Sequence, residues 1–405
     1  MGSMSVKCAS LVLFVSGWSS GCAWYVHAGE PQVVQEMKEL RDVSANVLGR
    51  RAGVDLEVAA REHHSRGTDQ LEEHAGGVRG GATLGSPVAM WVENRDYANW
   101  REVMSPESID PRKAELRRVH RPRPGHTDLA GGIKYLRSDL RDVLERASAR
   151  ETTARVALGA LARMFLRELG VEIRSGVLAL GSIGVDDPTP DWAALSQVDE
   201  GSPLRAIHRA READMVALVD ATKEAGDTLG GAVTVIAHGV PAGWGSHVQW
   251  DRKLDGRIGQ AMLSIHAVKA VEIGSGIGAS RNPGTLAHDE IHYSNGRWDR
   301  PTNRAGGVEG GISNGSDVVV TLYKKPIATT RQGLPSVDLD TLSASASQYE
   351  RSDVTALPAA GVIGEAMLAL VLAQAALEKL GGDSMAEVLA HHEATRRLES
   401  AWPRS

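Results

Sequence analysis

The stretch Glu145-Arg146-Ala147-Ser148-Ala149-Arg150-Glu151-Thr152 places two arginines, a serine hydroxyl and two carboxylates within about two helical turns. It opens an Ala-rich run, Ala154 to Ala162, whose composition predicts a helix. Arginines and a hydroxyl at a helix start suit a phosphate or a carboxylate. Free backbone N–H groups and the helix dipole already favour an anion there. Taken alone, the run reads slightly better as an ordinary charged first turn. The rest of the chain decides between the two.

Four more runs share its character. They are Arg123-Pro124-Gly125-His126-Thr127-Asp128, Asn303-Arg304-Ala305-Gly306-Gly307, Gly310-Gly311-Ile312-Ser313-Asn314-Gly315 and Glu350-Arg351-Ser352-Asp353. Supporting stretches are Thr83-Leu84-Gly85-Ser86-Pro87, Glu93-Asn94-Arg95-Asp96, Gly226-Asp227-Thr228-Leu229-Gly230-Gly231, Val271-Glu272-Ile273-Gly274, Lys325-Pro326-Ile327 and Leu334-Pro335-Ser336-Val337-Asp338. In this order they resemble the chorismate synthase family, from about Gly77 to about Gly382.

Composition sets the bounds within which that resemblance works. The chain has 405 residues, 42% of them hydrophobic, enough for a sizeable core in one large domain or two ordinary ones. With 2 Phe, core volume must come from Leu, Val, Ile and Trp. The 44 glycines are spread through the runs above, a pattern of sharp turns and close backbone approaches. The formal charge of −6 argues against a general nucleic-acid binder. An anionic ligand then needs a local cluster, and Arg146, Arg150, Arg304 and Arg351 are the candidates. The 2 cysteines, Cys8 and Cys22, make no disulfide framework and no zinc pattern, which points to the cytoplasm. Met1-Gly2-Ser3-Met4 reads as a scar or variant start. Leu11 to Val15 reads as a buried first strand, with a short leader as the competing reading, and it is too short to span a bilayer.

Strands are predicted at Leu84 to Val92, Val171 to Gly184, Val233 to Val240, Ala267 to Ile273 and Asp317 to Tyr323. Helices are predicted at Glu36 to Asn46, Leu140 to Leu169, Arg205 to Ala225 and Ile258 to Ile265, the third closed by Gly226. Pro106 to Pro124 reads as a polar connection. Gly361 to Leu380 is apolar almost all round, so it belongs in a core or a subunit interface. No repeating βαβ period and no Gly-x-Gly-x-x-Gly between strand and helix supports a Rossmann site. The class is α+β. The resemblance implies a single large domain, a β-α-β sandwich in which two antiparallel sheets enclose helices. Residues 77–395 form its core, and residues 1–76 are a divergent segment that supplies its first strands and helix. The family assembles as a homotetramer.

Chorismate synthases are carbon–oxygen lyases. They remove phosphate from 5-enolpyruvylshikimate-3-phosphate in an anti-1,4-elimination, the last common step of the shikimate pathway. They require reduced FMN, and NADPH only in bifunctional members. A substrate with one phosphate and two carboxylates demands several bidentate cations. In this sequence the resemblance assigns catalytic roles to His126 and Asp353. A Pro-Gly turn aims His126 inward, beside the reduced flavin, where a residue type that titrates near neutrality suits proton exchange. Asp353 lies near the flavin N5 and relays the proton removed there. Flavin contacts fall on Arg146, Ala147, Ser148, His266, Ala267, Gly310, Lys325, Pro326, Ile327, Ala328, Thr329 and Arg351. Substrate contacts fall on Ser148, Arg150 and Arg351. Asn303-Arg304 looks like a substrate or interface element, and His247, His288 and His292 read as surface or structural. No metal site and no membrane or nucleic-acid partner is expected.

The chain departs from the family pattern near its start. The family's Gly-Glu-Ser-His-Gly run is represented by Ala28-Gly29-Glu30-Pro31-Gln32, and its arginine-rich glycine loop by Arg50-Arg51 alone. Reduced flavin is therefore expected from an external flavin reductase. The competing readings are an impaired member that binds flavin without efficient turnover, or a non-enzymatic assembly protein on the same fold.

Overall fold

The structure, a computed structural model, describes residues 10–14, 77–79, 82–85, 87–93, 99–105, 109–198, 201–294, 297–350 and 352–402. The predicted helix at Glu36 to Asn46, the departures at residues 28–32 and 50–51, both cysteines and Arg351 lie outside them. The main strands are β1 (Ser10–Phe14), β2 (Ala89–Glu93), β3 (Glu172–Leu180), β4 (Gly231–His238), β5 (Val268–Ile273) and β6 (Val318–Lys324). The main helices are α1 (Asp128–Tyr135), α2 (Arg141–Ala147), α3 (Thr152–Glu168), α4 (Arg209–Ala225), α5 (Leu254–Leu263), α6 (Leu357–Leu380) and α7 (Met385–Ser400).

β3, β4, β6 and β5, in that order, make a four-stranded antiparallel sheet. Its central strands read as near-continuous apolar runs because both faces are covered. Val235, Ala237, Val320 and Leu322 face the helices with Leu368, Leu372 and Phe165. Ala232, Ile236 and Val319 pack on the other face against Leu195, Val198 and Ile207. Between the runs, buried Thr234 and Thr321 share a hydrogen bond of 3.1 Å across β4 and β6, which satisfies two hydroxyls that would otherwise be costly to bury.

α6 lies in the middle of the molecule, against β3 and β4 on one side and α3 and α5 on others. Small residues make this possible. A Cβ on Gly159 of α3 would stand 2.3 Å from the Ala366 Cβ of α6, and one on Gly364 would stand 2.8 Å from Val235. Leu368 and Leu372 have no exposed surface, and burial of each such side chain contributes about 1.5–3 kcal/mol. α6 is long and apolar enough to cross a membrane by length and composition, and most of it is covered by the protein itself. The antiparallel ladder of β1 with β2, in register Ser10 with Glu93, also touches α3 through β2. Helices and antiparallel sheets thus combine in one α+β fold.

Three helices were not legible as such. Pro111–Arg117 occupies the supposed polar connection, started by Asp110, whose carboxylate accepts from the Arg112 N–H at 2.9 Å. α1 contains two glycines that let it meet α2: a Cβ on Gly131 would stand 2.4 Å from Val143, and one on Gly132 2.5 Å from Leu140. α7 begins with a full capping box between Ser384 and Glu387.

Candidate active site

The predicted helix over Leu140 to Leu169 is interrupted inside the Glu145–Thr152 run. Ser148 is extended (φ −62°, ψ 137°) and ends α2. Its Oγ accepts from the Arg150 N–H at 3.4 Å, starting the short 3-10 turn Ala149–Glu151 that leads into α3. Arg146 and Arg150 are exposed on either side of this break, with Ala147 and Ser148 half-buried between them. Arg150 pairs with Glu145 at 2.9 Å.

Arg141, itself buried, ties this run to the one before α6. It donates to Glu350 at 2.8 Å and lies 3.8 Å from Glu145. The Thr329 hydroxyl donates to the Glu350 carbonyl at 3.1 Å, joining Glu350 to the segment Lys325–Thr329. That segment reaches the histidine turn: the Lys325 ammonium donates to the Gly125 carbonyl. The Gly226–Gly231 stretch supports it from behind. Thr228 donates to the Ile327 carbonyl at 2.8 Å, and a Cβ on Gly230 would stand 2.4 Å from the Lys324 carbonyl oxygen.

The circuit closes through His266. The Lys325 N–H donates to the Ala267 carbonyl at 3.0 Å. Ala267 takes a left-handed φ of 63°, an uncommon conformation for alanine that marks strain held by its neighbours. Lys324 donates to the His266 carbonyl at 2.9 Å. His266 Nδ1 stands 3.4 Å from a Glu151 carboxylate oxygen without hydrogen-bond geometry, so this buried nitrogen has no partner among the described residues. Glu151 in turn pairs with Arg155 at 2.8 Å. Burial pushes His266 below an ordinary histidine; Glu151 opposes this, while Arg155, Lys324 and His126 reinforce it. The two histidines are therefore within electrostatic reach of each other. Burial, then the charge of Lys325, pushes Lys324 down to about 8. Burial, then Lys269, also lowers Lys325.

His126 follows Gly125, whose φ of 77° suits a glycine turn. Its Nδ1 lies 2.5 Å from Oδ1 of Asp128, the first residue of α1 and fully buried. Asp128 also accepts from the Arg123 backbone N–H at 3.1 Å, from its Nε at 2.7 Å and from its Nη2 at 3.0 Å. Burial alone would raise the Asp128 carboxyl, but the hydrogen bonds from His126 and Arg123 outweigh it and hold it far below the usual carboxylate range.

A family model described as chorismate synthase matches residues 32–377. The chain belongs to the chorismate synthase family. Chorismate synthase of Moorella thermoacetica is 52% identical over 316 residues, 78% of this chain and 81% of the relative. That of Symbiobacterium thermophilum is 48% identical over 377 residues, 90% of this chain and 96% of the relative. A crystal structure of a chorismate synthase superposes with a TM-score of 0.69 at 35% identity, over 97% of this chain and 99% of that one. As a member of the family, the protein is a carbon–oxygen lyase that makes chorismate. The family match begins at residue 32, upstream of Gly77, where the chorismate synthase motifs become legible.

One chain thus brings together His126, Ser148, Arg150, His266, Ala267 and Lys325 to Thr329. Pro326 is exposed at the corner of the last segment, and Ile327 and Ala328 are half-buried. Asp353 is exposed three residues after Glu350, where the Val354 carbonyl accepts from Leu229 N–H at 2.8 Å. Gly310 stands apart. The Gly311 carbonyl accepts from Leu254 N–H, at the start of α5, whereas the Ser264 hydroxyl that accepts from Arg155 lies at its end. A ten-residue helix separates them, about 15 Å. Gly310 has left-handed φ and open space where a Cβ would be. Asn303 and Arg304 are engaged locally. Asn303 donates to the Asp317 carbonyl at 2.8 Å, and Arg304 to the His288 carbonyl at 3.1 Å. His247, His288 and His292 are exposed. Sequence reasoning did not single out Arg123, Asp128, Arg141, Glu151 or Lys324 as partners. Arg123 and Asp128, in the run of His126, and Glu151, in the Glu145–Thr152 run, carried a local signal; Arg141 and Lys324 did not.

Proposed function

We propose that the chain converts 5-enolpyruvylshikimate-3-phosphate to chorismate with reduced FMN, as an active enzyme. The observation that carries this reading is the closed circuit of contacts joining the His126 turn, the Arg146–Arg150 break, Glu350 and the Lys325–Thr329 segment. With His266–Ala267, which closes the circuit, five separate parts of the chain meet, and they would have no reason to do so around a scaffold's surface. The residues present fit a flavin. His266 Nδ1 is buried without a partner among the described residues, the Ala267 backbone is held in a strained conformation by Lys325, and Arg155, Lys324 and Lys325 bring positive charge to both.

Reduced FMN, when bound, supplies an electron-rich surface against the breaking bonds. The protein's own groups do the rest. Arg150 and Arg351 offer paired N–H donors to the substrate's phosphate and carboxylates, Arg146 contacts the flavin, and Lys325 adds a point charge. Ser148 adds a hydroxyl to the substrate and, with Ala147, backbone to the flavin. Pro326, Ile327, Ala328 and Thr329 line the flavin beside His266 and Ala267. His126 holds a proton next to the flavin, and Asp353 relays the one lost from the substrate. Gly310, a helix length away, reaches flavin only across a subunit boundary, so the reading includes a homotetramer. Its support is the exposed apolar stripe of α1, with Leu129 48% and Ile133 67% exposed one turn apart, and the exposed aromatic group Tyr293, Trp298 and Trp402. Reduced flavin comes from an external reductase rather than NADPH, and the site of action is the cytoplasm.

The test is anaerobic turnover with dithionite-reduced FMN, following chorismate and released phosphate. Turnover that falls about a hundredfold or more in His126→Ala and in Asp353→Ala is the expected result. Flavin bound without turnover would identify an impaired member instead, and no flavin binding would leave an assembly protein.

A further inference from the structure

The arrangement around His126 goes beyond that reading and rests on it. An imidazole nitrogen has one in-plane site, either an N–H or a lone pair. At Nδ1 that site faces Asp128 Oδ1 at 2.5 Å, and an ionised carboxylate only accepts. Arg123 Nη2 also approaches the ring, 3.0 Å from Nδ1 and 3.4 Å from Nε2. A guanidinium only donates, so it cannot share a nitrogen already committed to Asp128, and the ring atom left to accept from it is Nε2, at a long 3.4 Å. The other groups near this turn are Lys325, on the Gly125 carbonyl, and His266, within electrostatic reach. Neither bonds to the ring. Asp128 itself cannot turn away, because the Arg123 backbone and side chain hold it at three points and it has no exposed surface.

We propose that Asp128 is a positioning residue that keeps the His126 proton on Nδ1 and so presents Nε2 to the flavin and substrate, with Arg123 as the brace. The logic is that of a carboxylate that fixes the tautomer of a catalytic histidine. The contacts also predict what Asp128→Asn does. Oδ2 takes two donors from Arg123, so the amide oxygen settles there. The amide nitrogen then replaces Oδ1 and donates to Nδ1, which drives the ring proton to Nε2.

The experiment is nitrogen-15 NMR of the histidine rings in the flavin-free protein, at a pH where His126 is neutral, assigned by comparison with His126→Ala. The expected wild-type spectrum has a protonated Nδ1 and an unprotonated Nε2, and Asp128→Asn exchanges them. In turnover, Asp128→Asn is expected to lower kcat on the order of a hundredfold and to leave KM within about threefold. A helix-capping role alone would lower the melting temperature and leave both the tautomer and the kcat of the folded fraction unchanged. A wild-type ring protonated on Nε2 overturns the proposal, and so does an active His126-dependent enzyme whose kcat survives Asp128→Asn. If Asp128→Asn does not fold, the wild-type spectrum decides by itself. Full activity in His126→Ala would instead remove the catalytic reading of His126, a separate result.

Discussion

At the scale of single residues, the site's electrostatics rest on side chains that touch from distant parts of the chain. Lys324 is the clearest to test. Burial and the neighbouring Lys325 lower it to about 8 from the ordinary lysine value of 10.5. Between those values the unfolded chain binds more protons than the folded one, so stability from this group rises with pH. Below about 8 the ammonium is charged in both states and its full desolvation cost is present. Lys324→Met escapes that cost, so its stability relative to wild type is expected to be greatest near pH 7 and to decline as pH rises toward 10. Urea unfolding of both proteins across that range measures it, and a gap independent of pH would count against the burial of Lys324. The sequence made His126, Ser148 and Lys325 visible because they lie inside compact runs, and His266 through the family resemblance alone. It could not make Lys324 or Arg141 visible as partners. Their roles depend on bonds to residues far along the chain, and nothing local distinguishes them from other surface cations.

Secondary-structure elements position these residues chiefly by where they stop. α2 ends at Ser148 and α3 begins after one tight turn, which leaves Arg146 and Arg150 exposed at a break rather than along a continuous helix. Arg141, on α2, fixes the break to Glu350. It also donates to the Arg117 carbonyl at 2.9 Å and stacks 5.3 Å from the Trp100 ring. Arg141→Ala is expected to cost about 2 kcal/mol of stability, from loss of charge-assisted hydrogen bonds, and to lower turnover as the two runs loosen. Arg141→Lys should recover little, since an ammonium cannot serve two carboxylates and a carbonyl in one plane. Parallel denaturation and turnover assays check both, and full recovery in Arg141→Lys would show that charge alone is needed. The strands of the main sheet were legible from their Val and Ile content, and α4 from its Gly226 stop. α1 was hidden because Gly131 and Gly132 lower helix propensity and only the close approach of α2 explains them. Pro111–Arg117 was hidden because it has no buried residue, hence no apolar face to read.

For the molecule as a whole, α6 is both core and keystone, and one charge is buried within it. Glu365, 4% exposed, accepts from Ser175 at 2.6 Å and pairs with Arg205 at 3.2 Å and Arg163 at 3.1 Å. These bonds tie α6 to β3, to α3 and to the segment before α4. Glu365→Ala would remove the buried carboxylate shared by Ser175, Arg163 and Arg205, and is expected to destabilise by about 3–5 kcal/mol. The urea midpoint should fall with little change in slope; a loss under about 1 kcal/mol would mean that water replaces the carboxylate. The overall architecture was legible through resemblance rather than periodicity, since a helix apolar all round says only that something covers it. The bond from Lys325 to the Gly125 carbonyl has a consequence in time. It spans 200 positions of sequence, so the His126 turn leaves the ribosome long before the lysine that clamps it has been synthesised. At roughly 5–20 residues per second, a growing chain carries an unfinished His126 corner for some tens of seconds.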